Sequence, residues 1–503
     1  MGKILIGWAE KTLVPENKKL KLAGQFYERI SEYVESEITA TAMAIECDGD
    51  SAIMVSCDLT SIPQFLIDLA RKKIRELRSD IDPMKVTFTA THTHTSHTFA
   101  DPASKDENKK TKLLAIRDIM KEYMPDGVEY KELVSTNDEV LDPKEATVFV
   151  AGQIAAAITE AWDARKPAYF ANEFGRVPVG MCRRVVYDDG TAAMWGDSNT
   201  ANFIGLEGGN DSGMELLYTF DENKQLTGVV ANIACPSQIL EQRSFISADF
   251  WGRAKANIRS ALGKRVHLLA LGGAGGDQCP RDLVRWVEPE TPIDDPNVSR
   301  PNPLKHKGDP SMYDISGCNK AGRRISNEIL SVLDEVQTIY DEAVFCHKTI
   351  SMDLPLRKAT RTEYEHAVRE LELYGEKCAK RGEFNFADTA KAHVHAGLVK
   401  RFREQQRNEV FTIECHIIRL GSVAIITNPF ELFLDFGLRI KARSVAEQTF
   451  IAQLTCGQGG YLPTEKAERG GHYSAYISSG NVGHIGGDLY VRECLKEIEN
   501  MFS

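Results

Sequence analysis

The chain has 503 residues and a formal net charge of −11, with 61 lysines and arginines against 72 aspartates and glutamates. This balance argues against a dedicated nucleic-acid-binding protein, because affinity for phosphate requires clustered lysine and arginine. We find no signal peptide and no stretch of about 18 apolar residues that could span a bilayer. The eleven cysteines include no C-x-x-C pair and indicate reduced thiols. We therefore expect a soluble cytoplasmic protein that acts on a small molecule; the sequence leaves open whether it forms a homo-oligomer.

The first ninety residues have the pattern of an α/β fold. Apolar, β-branched runs predict strands at 3–8, 37–47, 52–58 and 84–92, and helical spacing predicts a helix at 62–79. The same patterns predict helices at 145–165, 247–262, 313–340, 360–407 and 430–445, and strands at 167–175, 213–220, 227–235, 266–271, 343–352, 411–419, 422–428 and 449–455, before a Gly/Tyr-rich tail. We predict an α/β fold: one large mixed-sheet domain over residues 1–503, with helices and long inserted loops.

Two segments interrupt this pattern and are predicted to be inserted lids. Residues 101–143 are highly charged, and residues 280–312 combine many prolines and charges with little periodicity. Long loops inside compact domains often carry function. We expect both segments to lie over the site and to determine which substrate it accepts.

His92 and His94 are the clearest candidates for chemistry. They continue the parity of the apolar residues in the strand predicted at 84–92, so both imidazoles would leave the strand on its buried side, roughly 7 Å apart. One imidazole could then bind a metal while the other faces whatever the metal binds. For this motif alone, a hydrogen-bonded pair of core histidines is an equal alternative.

Two further candidates follow predicted strands. Cys235 ends the strand at 227–235 and precedes Pro236, which stops further strand pairing. Its thiol is either a zinc ligand or a small buried apolar group. The Gly-rich turn at 272–276 presents Asp277 and Cys279 at the carboxyl end of a strand, where α/β sheets place ligands.

The C-terminal third adds a carboxylate and two phenols. Glu431 lies at the start of the helix predicted at 430–445, a position where carboxylates often serve only the helix dipole. Tyr461 and Tyr473 lie in the Gly-rich tail, where their rings line a pocket or simply pack. No G-x-S-x-G, P-loop or H-E-x-x-H motif is present to suggest another chemistry.

Taken in order, these pieces are similar to the neutral/alkaline ceramidase family. The matching strings are Ala90-Thr91-His92-Thr93-His94, Cys235-Pro236-Ser237 followed by Ser247-Ala248-Asp249, Gly276-Asp277-Gln278-Cys279-Pro280, Pro429-Phe430-Glu431, and Tyr461-Leu462-Pro463-Thr464 with Tyr473 beyond it. The resemblance covers nearly the whole chain as that family's zinc-dependent catalytic domain. It also implies that the family's C-terminal immunoglobulin-like domain is absent, because Tyr473 lies close to the end of the chain.

The resemblance implies a Zn²⁺ site and a set of residues around it. The implied ligands are His92, Cys235, Glu431 and Tyr461, and the implied polar groups beside the metal-activated water are His94 and Tyr473. Two departures from the family concern cysteines: Cys235 replaces a histidine ligand, and Cys279 replaces the active-site serine. Cys182 stands where the family's Asn-Arg-Ser piece begins, so Arg183 is the implied substrate-binding arginine and Arg184 is the alternative.

These residues lead us to expect a zinc-dependent hydrolase in which a metal-activated water attacks a carbonyl group. A soluble substrate such as a lactam, a lactone or an oxidised sugar or cyclitol ring is our main expectation, which would place the protein in carbohydrate metabolism. Two alternatives stay open. One is an amidohydrolase of ceramide-like N-acyl lipids, and the other is a metal-dependent isomerase or lyase acting on a carbonyl compound.

Overall fold

Two β-sheets packed face to face form the centre of the computed structural model, which describes residues 2–25, 27–104, 112–130, 139–284, 314–384 and 386–503. The larger sheet has eight strands, in the order His267–Gly272, Leu226–Ile233, Gly213–Asp221, Lys166–Arg176, Leu5–Thr12, Thr39–Cys47, Asp50–Cys57 and Val86–Ala90. The pair at each edge is parallel and the pairs between them are antiparallel. The predicted mixed-sheet α/β fold is therefore confirmed.

The smaller sheet has four strands, in the order Phe345–Pro355, Val410–Leu420, Val423–Thr427 and Gln448–Ala452. Its inner face packs on the larger sheet through a shared apolar core that includes Ile45, Leu217, Ile425 and Phe450. The strand Val423–Thr427 is buried along its whole length, and such strands need nearly continuous apolar sequences, which is why this segment was predictable. Each fully buried aliphatic or aromatic side chain contributes about 1.5–3 kcal/mol to this packing.

Helices cover the outer faces of both sheets. Gln64–Leu77 and Pro143–Asp163 pack on one half of the larger sheet, Asp249–Leu262 and Asp314–Leu333 pack on the other half, and Leu434–Arg443 and His484–Phe502 cover the smaller sheet. A separate helical cluster is formed by Lys112–Glu122, Arg361–Arg381 and Phe386–Glu404. No helix in the described ranges is both long and apolar enough to cross a membrane.

Short elements connect these layers. Two-stranded pairs are Gly2–Lys3 with Glu342–Ala343, Met181–Cys182 with Gln278–Cys279, Glu129–Tyr130 with Glu383–Phe384, and Phe430–Leu432 with Gly460–Leu462. Arg184–Tyr187, Ala192–Met194 and Phe203–Leu206 form a three-stranded sheet, and short helices occupy Pro83–Lys85, Glu465–Gly470 and Ile477–Ser479. Several of these pairs carry or support the candidate site described below.

The larger sheet curls so that its two edges approach each other. Ser56 Oγ, from the strand next to one edge, donates to the carbonyl oxygen of Ala270 in the opposite edge strand, at 2.5 Å. Beyond the strands, Ser237 Oγ donates to the carbonyl oxygen of Thr91 at 2.6 Å. The curl therefore brings the segments that follow Ala90 and Ile233 together.

Two predicted helices differ from the structure, and one observed helix was not predicted. The helix predicted at 430–445 begins at Leu434, because residues 430–432 pair as a strand instead. The helix predicted at 360–407 is two helices, because Gly382 adopts a left-handed conformation with φ of 76° and ends the first. The tail contains the helix His484–Phe502, which its glycines and tyrosines did not suggest.

The two predicted lids lie partly outside the described residues. Of the segment 101–143, residues 105–111 and 131–138 lie outside them, and the part between contains the helix Lys112–Glu122. Of the segment 280–312, residues 285–312 lie outside them. The lid assignments stay predictions.

Candidate functional site

The chain turns sharply at His92, just beyond the strand Val86–Ala90. His92 has a φ of +71°, a left-handed conformation that non-glycine residues adopt rarely. The His92 and His94 rings consequently meet edge to face, with centroids 4.7 Å apart and Nε2 atoms 3.2 Å apart. The expectation that both imidazoles leave a strand on one side, roughly 7 Å apart, is therefore wrong, because the strand ends at Ala90.

His92 presents a free nitrogen lone pair to Glu431. Its Nδ1 lies 2.7 Å from the carbonyl oxygen of Thr60, and since a carbonyl only accepts hydrogen bonds, Nδ1 carries the proton. The lone pair on Nε2 then lies 3.5 Å from Oε2 of Glu431. Two ligands of a tetrahedral zinc ion are separated by roughly 3.4 Å, given zinc bonds of about 2.1 Å. The two atoms thus fit a divalent cation between them.

Strand pairing places Glu431 beside Tyr461. The two residues are directly opposite each other in the parallel pair formed by Phe430–Leu432 and Gly460–Leu462. Burial, and then the negative charge of Glu431, raise the pKa of Tyr461 well above its usual value, so the phenol is protonated. Tyr473 packs edge to face on Tyr461, with ring centroids 5.5 Å apart, and its pKa is raised by the same two causes. Both tyrosines lie at the site as neutral hydrogen-bond donors.

Arg183 adds a buried positive charge to this group. Its Nη2 donates to the carbonyl oxygen of Gly276 at 2.8 Å and to the hydroxyl of Tyr461 at 3.3 Å, and it lies 3.9 Å from Oε2 of Glu431. Burial disfavours the charged guanidinium, but Tyr461 and Glu431 together hold the pKa of Arg183 above its usual value. The guanidinium is therefore charged and held close to the carboxylate that faces His92.

Arg184 points in the opposite direction and holds the loop that carries Tyr473. Two of its nitrogens donate to the carboxylate of Glu207, at 2.6 and 3.1 Å. Nη1 donates to the carbonyl oxygen of Tyr473 at 3.0 Å, and Nη2 also donates to that of Gly471 at 2.8 Å. Of the two arginines, Arg183 is the one that lies beside Tyr461 and Glu431.

His94 is held by residues that no sequence pattern singles out. Its Nδ1 lies 3.4 Å from Oε2 of Glu241, and its carbonyl oxygen accepts a hydrogen bond of 2.6 Å from buried Arg29. Gly24 has a φ of +95°, and a Cβ at this position would lie 2.5 Å from the His94 ring. Burial, and then His92, lower the pKa of His94 well below 6.5. His94 is therefore neutral at neutral pH.

Cys235 lies below the site, within the apolar core on that side of the larger sheet. Burial, and then the nearby Cys279, raise the pKa of its thiol well above the usual value. In the part of the chain that the structure describes, one trio of histidine, cysteine and acidic residues has ligand atoms all within 4.8 Å of one another, and that trio includes neither His92, Cys235 nor Glu431. The structure thus brings His92 and Glu431 together with Tyr461 nearby, but it does not bring the Cys235 sulfur to the same point.

The Gly-rich turn at 272–276 supports the strand of Glu431. Gly276 donates its backbone N–H to the carbonyl oxygen of Leu432 at 2.8 Å, and Asp277 Oδ1 accepts from the backbone N–H of Leu434, also at 2.8 Å. Burial raises the pKa of Asp277 to about 6. Burial likewise raises the pKa of Cys279 to about 12, and the Cys279 thiol donates within the turn. The predicted contact of Cys279 with substrate stays a prediction.

Comparison with known proteins gives a clear result for structure and none for sequence. No protein-family model and no curated protein matches the chain. Its fold is similar to the crystal structure of neutral ceramidase from Pseudomonas aeruginosa, with a TM-score of 0.66 and 14% identity over 99% of this chain and 75% of the other. A structure of a ceramidase complexed with C2 gives a TM-score of 0.65 and 13% identity, with the same coverage. The fold is neutral-ceramidase-like, as the motif order indicates.

Proposed function

We propose that this protein is a zinc-dependent hydrolase that cleaves the amide bond of a ceramide-like N-acyl lipid. The observation that carries the proposal is the opposition of His92 Nε2 and Glu431 Oε2 across 3.5 Å. The fold supports the amide, because both similar structures are ceramidases. Neither comparison supports a lactam, a lactone or a sugar, so our expectation of a soluble substrate in carbohydrate metabolism yields to the N-acyl lipid.

His92 and Glu431 would hold the ion, and Tyr461, the strand partner of Glu431, is a further potential ligand. Bound there, a zinc ion would supply the Lewis acidity that activates water and polarises an amide carbonyl. The Thr60 carbonyl, which fixes the proton on Nδ1 of His92, has the role of the outer partners that orient metal-binding histidines. The assignment of Cys235 as a further ligand stays a prediction.

His94 is the residue we assign to proton transfer. Its neutral imidazole lies against His92, so it can accept a proton from the attacking water and return it to the leaving nitrogen. Glu241, 3.4 Å from Nδ1, would stabilise the positive charge that His94 carries between these two steps. Gly24 and Arg29 keep the ring in place.

Arg183 and Tyr473 are the groups we assign to the negative charge that develops on the amide oxygen. Arg183 offers a fixed positive charge in a buried setting, where electrostatic interactions are stronger than in water. Tyr473 offers a phenol that stays protonated. Preorganised donors of this kind supply a large part of the rate enhancement in acyl transfer.

The test is turnover of N-acyl sphingosine in mixed micelles by the purified full chain, compared with Glu431→Gln and His92→Ala. We expect wild type to release fatty acid and free amine, and both variants to lose activity and one equivalent of metal. His97→Gln is the matched control, because His97 lies in the same segment but donates to the Leu13 carbonyl away from the site. Full activity in Glu431→Gln, or turnover of lactams and lactones alone, would refute the proposal.

The same assay in ¹⁸O-labelled water separates hydrolysis from isomerisation. A hydrolase incorporates one labelled oxygen into the released fatty acid, because water provides the new carboxylate oxygen. An isomerase or lyase yields a product without this label. An unlabelled product would therefore favour the alternative of a metal-dependent isomerase or lyase.

A further inference from the structure

A second cluster of potential metal ligands lies away from the site described above. The ligand atoms of Glu414, His416 and Cys456 all lie within 4.8 Å of one another. Glu414 and His416 belong to the strand Val410–Leu420, and Cys456 follows the strand Gln448–Ala452. The Cys456 sulfur lies near the carbonyl of Val86, at the beginning of the strand that leads to His92. Strand rise therefore separates this cluster from His92 by roughly 15 Å.

A chain of hydrogen-bond contacts crosses this cluster. His347 Nδ1 lies 3.0 Å from the carbonyl oxygen of Ser51, and His347 Nε2 lies 2.9 Å from His416 Nδ1. His416 Nε2 lies 2.8 Å from Oε1 of Glu414. The carbonyl at one end and the carboxylate at the other only accept hydrogen bonds. Three contacts therefore require three protons, whereas two neutral imidazoles carry two.

The contact left without a proton is the one at Glu414. Because His347 Nδ1 donates to Ser51, His347 Nε2 must accept from His416 Nδ1. His416 Nε2 then presents a lone pair to a carboxylate oxygen. A positive species is needed between them: either a proton at the present 2.8 Å separation, or a metal ion with the two atoms moved apart to roughly 3.4 Å.

Cys456 favours a metal ion over a proton. Its sulfur lies 3.5 Å from His416 Nε2, and nitrogen and sulfur ligands of one tetrahedral zinc ion are separated by roughly 3.6 Å. An extra proton between His416 and Glu414 would use only those two groups. A zinc ion would use all three, and a mixed sulfur, nitrogen and oxygen set is one that zinc accepts.

The surroundings resemble the outer shell of a metal site. His416 donates its one ring proton, on Nδ1, to Nε2 of His347, which in turn donates from Nδ1 to the carbonyl of Ser51. Arg71 donates to both oxygens of Glu414, at 3.0 and 2.5 Å, and so fixes the plane of the carboxylate. Such partners orient the ligands of metal sites. The Glu414 side chain is 20% exposed, which gives an ion access to the cluster.

We propose that Glu414, His416 and Cys456 bind a second, structural zinc ion. The ion would connect the smaller sheet to the loop after Gln448–Ala452. That loop is joined to the edge strand of the larger sheet, because Thr455 pairs with Thr89 and Cys456 donates its N–H to the carbonyl of Phe88. The second zinc would therefore brace the strand that ends just before His92.

The test is cobalt substitution of the purified full chain, because a cobalt–thiolate bond gives a charge-transfer absorption. We expect this band in wild type, its loss in Cys456→Ser, and the loss of one equivalent of bound metal in both Cys456→Ser and Glu414→Gln. The band should persist in His92→Ala and in Cys235→Ser, whose changes lie at the other site. Cys415→Ser is the matched control, because its buried thiol adjoins His416 in the chain but donates to the Thr427 carbonyl.

Glu414→Gln provides a second route if Cys456→Ser fails to fold, since glutamine keeps the shape of the side chain, and circular dichroism reports folding of each variant. Unchanged metal content in a folded Glu414→Gln, or a wild-type band that disappears in Cys235→Ser instead, would overturn the second site. Metal lost only in His92→Ala would also overturn it, while leaving the proposed function intact. Metal lost only in Cys456→Ser and Glu414→Gln would support the second site and contradict the first.

Discussion

The Nε2 atom of His92 faces Oε2 of Glu431 across 3.5 Å, although the two residues come from opposite ends of the chain. The left-handed backbone at His92 directs its Nε2 toward the site. The short strand pair that contains Glu431 and Tyr461 positions the carboxylate of Glu431. The Thr60 carbonyl keeps the proton off the nitrogen that faces Glu431. In the neutral ring the Nε2 lone pair therefore faces a carboxylate oxygen, and a cation between these two atoms would be stabilised by both.

Replacing each of the two adjacent arginines should separate chemistry from stability. Arg183→Met should lower kcat about 100-fold or more, because it removes a preorganised positive charge. It should cost less stability than Arg184→Met, because Arg183 makes fewer hydrogen bonds and lies 3.9 Å from its nearest carboxylate. Arg184→Met should lower the free energy of unfolding by about 3–5 kcal/mol, because it leaves the buried carboxylate of Glu207 unpaired. Steady-state kinetics and urea denaturation of both variants provide the measurements. The reverse pattern would assign the substrate-binding role to Arg184.

Gly24→Ala should disturb His94. The new Cβ would lie 2.5 Å from the ring, so we expect reduced activity in addition to a backbone strain of about 1–2 kcal/mol. Gly49→Ala is the control, since Gly49 also has a positive φ, of +80°, but has nothing within 4 Å of the new Cβ. Both variants should lose the stability that corresponds to backbone strain, Gly24→Ala should lose more because its Cβ collides with the buried His94 ring, and only Gly24→Ala should lose activity. Equal activities would show that the position of His94 does not matter.

His97 should make the free energy of unfolding depend on pH. Burial lowers its pKa from 6.5 to about 4 in the folded chain, so as the pH falls the unfolded chain binds the proton first. Stability that is fully present above pH 6.5 is then lost as the pH falls toward 4, by about 3 kcal/mol for this group. His97→Gln should therefore lose less stability than wild type across this range. Unfolding free energies measured at several pH values test this, and parallel curves for the two proteins would contradict it.

Elements with strong apolar patterns were predictable from the sequence. The strands Thr39–Cys47 and Asp50–Cys57 and the helix Pro143–Asp163 lie close to their predicted positions, because each is buried against the core. The start of the helix at Leu434 was not predictable, because residues 430–432 take part in a strand pair with a distant segment. A strand that pairs with a segment distant in the sequence has no local sequence pattern by which it can be predicted.

In the candidate site, too, some residues were predictable from the sequence and others were not. His92, His94, Glu431 and Tyr461 follow strands or lie in motif order, and they lie close together in the structure. Glu241 and Gly24 belong to the site only because they lie close to His94 in the folded chain. No spacing of residues along the sequence predicts this contact. Cys235 stays a prediction as a ligand, because its place at a strand end fits that role while its side chain also packs in the apolar core.

The central claim is that His92 and Glu431 jointly hold the ion required for amide cleavage. Its most direct test is metal stoichiometry and N-acyl amide hydrolysis measured on the same preparations of wild type, Glu431→Gln and the control His97→Gln, before and after metal removal and addition of zinc. We predict that wild type and His97→Gln lose activity on metal removal and regain it with zinc, while Glu431→Gln binds one equivalent less and stays inactive. Hydrolysis that survives metal removal, or full metal binding and activity in Glu431→Gln, would contradict the claim.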